Sequence, residues 1–180
     1  METHQLVAHP AFSPAGVRSV EARFGLVGPW LQLRWRVDGS AGVVLPPFGG
    51  RQRKDGLWQA TCFEMFHLLG NGPAYAEYNF SPSEAWAAYD FSGWREGMAA
   101  RPMSHDPVIT PRAGRDVMIF DVALPLHDLR PLPGAMSLTA VIEEAGGVKS
   151  YWALAHGNPD KPDFHHPACF AASLRPPEAS

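Results

Sequence analysis

The segment Asp55–Met98, DGLWQATCFEMFHLLGNGPAYAEYNFSPSEAWAAYDFSGWREGM, alternates in the manner of β-structure while carrying Glu64, Glu77 and Asn79 among its aromatic residues. Charged and amide side chains within strands are costly to bury unless they are paired or face a ligand. Ala74–Phe80 and Ala85–Phe91 read as the two strands of a hairpin turning at Ser81-Pro82-Ser83-Glu84. That turn pairs Phe80 with Ala85, Asn79 with Trp86 and Glu77 with Ala88. One face then carries Tyr75, Glu77, Asn79, Trp86 and Asp90; the other carries Ala76, Tyr78, Phe80, Ala87, Tyr89 and Phe91. The first is a polar platform with a planar ring, and the second is a core face. A slip of one residue inverts one strand relative to the other and destroys the sorting.

Outward from the hairpin, Leu57–Leu69 is apolar in both phases, with Phe63 and Met65 on one side and Cys62, Phe66 and Leu68 on the other. A strand covered on both faces belongs in the middle of a sheet. Upstream, Val17–Val27 reads as a strand, and Leu31, Leu33, Trp35 and Val37 alternate with Gln32, Arg34 and Arg36 as a second, half-buried one. Gly39–Gly50 is a loop. The basic cluster Arg51, Arg53 and Lys54 follows it, either solvated or turned towards a ligand. Downstream, Gly93–Arg112 is an irregular connection and Val117–Leu124 a strand closed by Pro125. Leu126–Pro133 holds a short helical turn, and Met136–Glu144 and Val148–His156 form a hairpin around Gly146-Gly147. A last strand lies near Cys169–Leu174, and the tail Arg175–Ser180 frays. About eight strands without helical periodicity imply an all-β, antiparallel β-sandwich, with residues 1–180 as a single domain.

The charged share, 18%, is low, and the net charge of −3 offers no general attraction to nucleic acid or acidic membranes. No apolar run reaches the length of a membrane span. The start, METHQLVAHP, has no basic segment followed by an apolar one. A soluble, cytoplasmic protein is expected, with Cys62 and Cys169 as reduced, buried thiols. No phosphate-binding loop and no GxSxG elbow is present. The oligomeric state is not legible.

Several residues are candidates for a ligand site. Trp86 stands on the polar face of the hairpin, and Trp152 shares a strand face with Ser150, Leu154 and His156. Two such rings flanking a slot would suit a pyranose, whose C–H faces are apolar and whose rim is polar; the alternative is that both are core. Glu64 and Glu77 are structural acids, hydroxyl acceptors, or a carboxyl pair for glycoside hydrolysis. His156 or His165 could hydrogen-bond a ligand. Asp163, His165 and His166 are close in sequence, but adjacent histidines in an extended loop diverge, so no metal site is expected.

The runs LWQATCFEMF, AEYNFSPSEAWAAYDF with WREGM after it, and YWALAHGNPDKPDFHHPACF resemble the bacterial DOMON-like proteins, relatives of the carbohydrate-binding module family 9 fold. The resemblance covers residues 51–170. It implies a jelly-roll-like β-sandwich that binds a small molecule in a pocket on one sheet. Sugar-binding relatives clamp a terminal sugar between aromatic rings, and Trp86 and Trp152 would supply the clamp here. Arg53, Glu64, Glu77, Asn79, His156 and His165 are the polar candidates. Haem-binding relatives use a Met with a His or Lys, for which Met65 and His165 are the available pair. The leading expectation is a non-catalytic domain for a carbohydrate or similar polar ring compound, with no cofactor. The alternatives are a haem-binding redox module and a small sugar-active hydrolase or lyase.

Overall fold

The computed structural model describes residues 1–129 and 131–176. The last four residues of the expected frayed tail, and one position of the expected helical turn, lie outside that range. The described residues form twelve strands: β1 (Glu2–Ala8), β2 (Ser19–Val27), β3 (Trp30–Asp38), β4 (Cys62–Leu68), β5 (Tyr75–Phe80), β6 (Trp86–Phe91), β7 (Ala99–Ala100), β8 (Val108–Ala113), β9 (Val117–Pro125), β10 (Gly134–Glu144), β11 (Val148–Ala153) and β12 (Ala172–Leu174). Among the described residues helix is confined to short 3₁₀ turns, one of them at Leu126–Leu129. Among the described residues no helix is long and apolar enough to cross a membrane.

All named strands pair antiparallel in the order β7-β6-β5-β4-β10-β11-β1-β2-β3-β9-β8, with β12 on the free end of β10. The strands are antiparallel and all β as expected, but they form a curled sheet rather than a clear jelly-roll-like β-sandwich. Glu2–Leu6 of β1 pair with β2, and Val7 and Ala8 pair with β11, so one strand joins both arms. The result is a single curled sheet, a half-barrel whose arms close on each other. Its inner face is the main core. Trp35 of β3 and Phe120 of β9 meet Phe63 of β4, with ring centroids 5.5 and 4.3 Å from it. Alternation explains the sorting, since Leu31, Leu33, Trp35 and Val37 are buried while Gln32 and Arg36 remain exposed.

Three strands were hidden in the sequence: β1, β8 and the two-residue β7, which falls inside the expected irregular connection Gly93–Arg112. β1 is largely polar and buries mainly Leu6, and β8 contains Pro111. Proline is tolerated there because β8 is the edge of the sheet, where a missing N–H donor costs no ladder bond.

Glu144, at the end of β10, ties the N-terminal connection to the sheet. Its carboxylate accepts from the backbone N–H groups of Ala15, Gly16 and Val17 at 2.8, 2.6 and 3.0 Å. Glu144→Ala strands these donors and should lower stability by roughly 3 kcal/mol. Urea denaturation would check this; an unchanged midpoint would mean the donors find other partners.

Candidate functional site

The β5–β6 hairpin places the site, and its register differs from the expected one. Phe80 pairs with Trp86, Asn79 with Ala87 and Glu77 with Tyr89. The turn is closed by Ser81 N–H donating to the Ala85 carbonyl at 2.9 Å. Ser81 Oγ and Ser83 Oγ hydrogen-bond within it, and Glu84 takes a left-handed φ of 68°. Ala85 is therefore part of the turn. The change by one residue moves every β6 side chain to the opposite face. Trp86 and Ala88 turn inward to the core with Phe80 and Tyr78, while Ala87, Tyr89 and Phe91 turn outward with Tyr75, Glu77 and Asn79.

That outer face continues across β4, β10 and β11 through Phe66, Glu64, Val141 and Tyr151. The connection after β11 folds over it, bringing Phe164, His165 and Phe170 against the sheet. Together they enclose a cavity of ≈ 460 Å³. Trp58, Tyr89, Phe91, Tyr151 and Phe164 supply its aromatic walls, and Glu64, Glu77 and His165 its polar surface. Trp58 and Met98 stand at the mouth, 53% and 59% exposed.

Glu64 and Glu77 are diagonal neighbours on adjacent strands, a relation that separates backbone positions by about 7–8 Å. Burial raises Glu64 well above the usual carboxylate range, and the Glu77 charge raises it further; the Thr139 hydroxyl, donating at 3.4 Å, acts the other way. Burial also raises Glu77, to about 7, against the opposing influence of Asn79 and Arg95. Asn79 lies cross-strand from Glu64, fully buried, and its two amide atoms stop short of hydrogen-bond geometry with any described residue.

His165 is held by the aromatic cluster and by Tyr75. The Tyr75 hydroxyl accepts from Arg95 N–H at 3.1 Å and shares a hydrogen bond of 2.6 Å with His165 Nδ1. The other ring nitrogen, Nε2, faces Glu77 Oε2 at 3.5 Å. Burial lowers His165 to about 4, helped by the Arg95 charge and opposed by Asp163, so the ring is neutral at pH 7. Arg95 has a left-handed φ of 56°, a strained backbone for a non-glycine residue. Its guanidinium is held by Asp163 Oδ1 at 2.7 Å, and Asp163 also accepts from Trp94 Nε1 at 3.2 Å.

Of the residues singled out in the sequence, Glu64, Glu77 and His165 line the cavity, and Asn79 lies beside Glu64 on the same face. Trp86, expected on the polar platform, is a core residue at 4% exposure. Arg53 stacks its guanidinium 4.4 Å from the centre of that ring and donates to the Ala88 and Arg101 carbonyls, away from the cavity lining. Trp152 is also core, its Nε1 donating to Ser150 Oγ at 2.8 Å, so the expected two-tryptophan clamp does not form. His156 is bonded to the Val7 carbonyl at 2.7 Å and packs on His9, outside the cavity. The haem pair fails on geometry: Met65 is fully buried on the inner face and His165 lies on the outer one. No step through haem is available to these residues. Among the described residues, no three His, Cys, Asp or Glu side chains converge to hold a metal ion. Cys62 and Cys169 are free and buried.

Trp58, Tyr89, Phe91, Arg95, Tyr151 and Phe164 were missed as site residues. Tyr89 and Phe91 were assigned to the core by the shorter turn. The available signal was β6 itself, whose two phases are both apolar and so leave its orientation to the turn.

The fold and site define an all-β, antiparallel half-barrel with a pocket on its outer face. Among solved structures it is similar to a "putative carbohydrate-binding protein" from Bacteroides uniformis, with a TM-score of 0.64 and 15% identity over 93% of this chain and 83% of that one. This likeness establishes a shared fold. A carbohydrate binding module of family 9 from Caldicellulosiruptor kristjanssonii, in complex with glucose, gives a TM-score of 0.49 at 9% identity, covering 86% of this chain and 79% of that one. No protein-family model and no curated protein matches the sequence.

Proposed function

We propose that the protein is a non-catalytic binding domain for a carbohydrate or similar polar ring compound, held in the outer-face cavity. The carrying observation is the composition of that cavity: aromatic walls around two buried carboxyl groups. Small-ligand sites commonly combine apolar walls with a few placed polar groups. A sugar ring matches this, because its C–H faces stack on aromatic walls and its hydroxyls donate to carboxyl oxygens. The mouth ring is Trp58, in place of Trp86. The name of the Bacteroides uniformis protein accords with this reading. Membership of the DOMON-like group and a cytoplasmic setting are parts of the same proposal; two free cysteines suit a reducing compartment.

Trp58→Ala tests the proposal. Its ring is half exposed, so the fold should be unaffected while affinity for a bound sugar falls about tenfold or more, the loss expected of an aromatic contact. A glycan array followed by calorimetry would measure both proteins. Wild-type affinity in Trp58→Ala would remove the ring from the site, and an array without a single bound glycan would remove the sugar reading.

A hydrolase acting on sugars is the second reading. It is favoured by one observation: the cavity presents a carboxyl pair in which both members are raised, as a general acid requires. Release of nitrophenol from aryl glycosides, abolished in Glu64→Gln, would establish it. Release that persists in that variant would eliminate the assignment.

A further inference from the structure

We propose that the cavity selects an amino sugar in its protonated form, with the ammonium group held between Glu64 and Glu77. This rests on the sugar-binding reading above and names the class of sugar.

The argument starts from the charges around the cavity. Glu64 and Glu77 are both acidic, both buried and on one face. Among the described residues neither is in an ion pair with an arginine or lysine, and the basic side chain nearest to Glu77 is His165 at 3.5 Å. Arg95, which also lines the cavity, is committed to Asp163 through two donors at 2.7 and 3.2 Å. His165 presents a neutral ring. The contacts to the pair are long: Thr139 Oγ1 donates to Glu64 at 3.4 Å, and His165 Nε2 stands 3.5 Å from Glu77 without a hydrogen bond. Two like acids in a low-dielectric site repel when ionised, and a cation between them removes that repulsion. An ammonium group has three donors and no acceptor, so it can bond both carboxyl groups at once. A sugar hydroxyl donates only one hydrogen.

The walls point the same way. Tyr89, Phe91 and Tyr151 line the same cavity as the carboxyl pair, and aromatic faces attract a cation through their quadrupoles. Asn79 adds an independent indication. It is fully buried beside Glu64, and both polar atoms of its amide lack a hydrogen-bond partner among the described residues. Buried amides are rarely left so. A ligand with several donors and acceptors at this end of the cavity would draw the Glu64–Asn79 pair into its hydrogen bonding.

The test is calorimetric titration of the full chain at pH 7 with glucosamine, galactosamine and mannosamine. Each is compared with its neutral parent hexose and its N-acetyl derivative. At least one amino sugar should bind tenfold or more tightly than both comparators, and that preference should collapse in Glu77→Gln or Glu64→Gln. A parent hexose or N-acetyl derivative that binds as well as the amine would overturn the inference and leave the sugar-binding reading standing. An amine preference that survives in both variants would overturn the assignment to the carboxyl pair. Binding of none of the nine sugars would overturn the inference and the reading together. Both variants replace a buried acid by its neutral isostere, and thermal melts of each would establish that the fold is retained.

Discussion

Replacing Trp86 by alanine is expected to lower folding stability by roughly 3–5 kcal/mol, the usual result of deleting a large aromatic side chain from a core. Trp86 is 4% exposed and lies on the inner face with Tyr78, Phe80 and Ala88. The substitution also removes the ring beneath the Arg53 guanidinium. For a chain of this size the melting temperature should fall by roughly 6–20 °C. Trp86→Phe should cost much less. It keeps most of the apolar volume and deletes an indole N–H that has no partner among the described residues. Calorimetric melts of the wild type and both variants decide the matter. If Trp86→Ala melted with the wild type while losing its ligand, Trp86 would belong to the binding surface and the observed hairpin register would be wrong. The contrast with Trp58→Ala is the useful one: one tryptophan should move stability and the other should move affinity.

Glu77→Gln is expected to stabilise the protein at pH 8, by roughly 2–3 kcal/mol, and to have little effect near pH 4.5. Burial raises Glu77 to about 7 in the folded state, from 4.5 in the ordinary carboxylate. The folded protein therefore keeps this proton through a window in which the unfolded chain has released it. The stability contributed by Glu77 is complete below about pH 4.5 and is lost as pH rises through about 7. Glutamine has no proton to lose, so the two proteins diverge across that window. His67, lowered to about 4 chiefly by burial, weakens the fold as pH falls below its ordinary 6.5, and does so in both proteins. His165, lowered likewise, faces Glu77, so the gap between the two proteins is read most cleanly above pH 6.5. Urea midpoints at pH 5, 6, 7 and 8 would trace the difference. A constant gap across that range would show that Glu77 does not titrate in it. Loss of stability on removing this acid at pH 8 would mean that it has a strong cationic partner. A buried acid that weakens the fold is the kind of feature a ligand site retains, because stability and binding make opposite demands on it.

The sequence carried much of this by pattern. Leu31, Leu33, Trp35 and Val37 are buried in the alternation that marked them as a half-buried strand. Cys62–Leu68 is covered on both faces, as its apolar residues in both phases required. Glu64, Glu77 and Asn79 stood out as polar groups inside apolar strands, and they do lie together on one face. Those readings depend on nearest-neighbour chemistry, which each residue carries with it. The ring candidates depended on something else. Trp86 and Trp152 were chosen for type and local phase, and tertiary packing turned both inward.

What the sequence by itself determined is that this chain is all β, antiparallel and able to bury acids inside strands. Strand periodicity and the cost of an unpaired polar group are local, and they can be read without knowing which strands meet. Only the tertiary structure decided that β1 joins both arms into one curled sheet, since a largely polar strand declares its partners weakly. Only it decided the hairpin register, because Ala85 can extend the strand or close the turn, and the Ser81–Ser83 hydrogen bonds favour the turn. From that single residue follow the orientation of Trp86, the outward turn of Tyr89 and Phe91, and the aromatic walls around Glu64 and Glu77. A strand alternates with a period of two, so a shift of one exchanges its faces, and the site is made of the face that results.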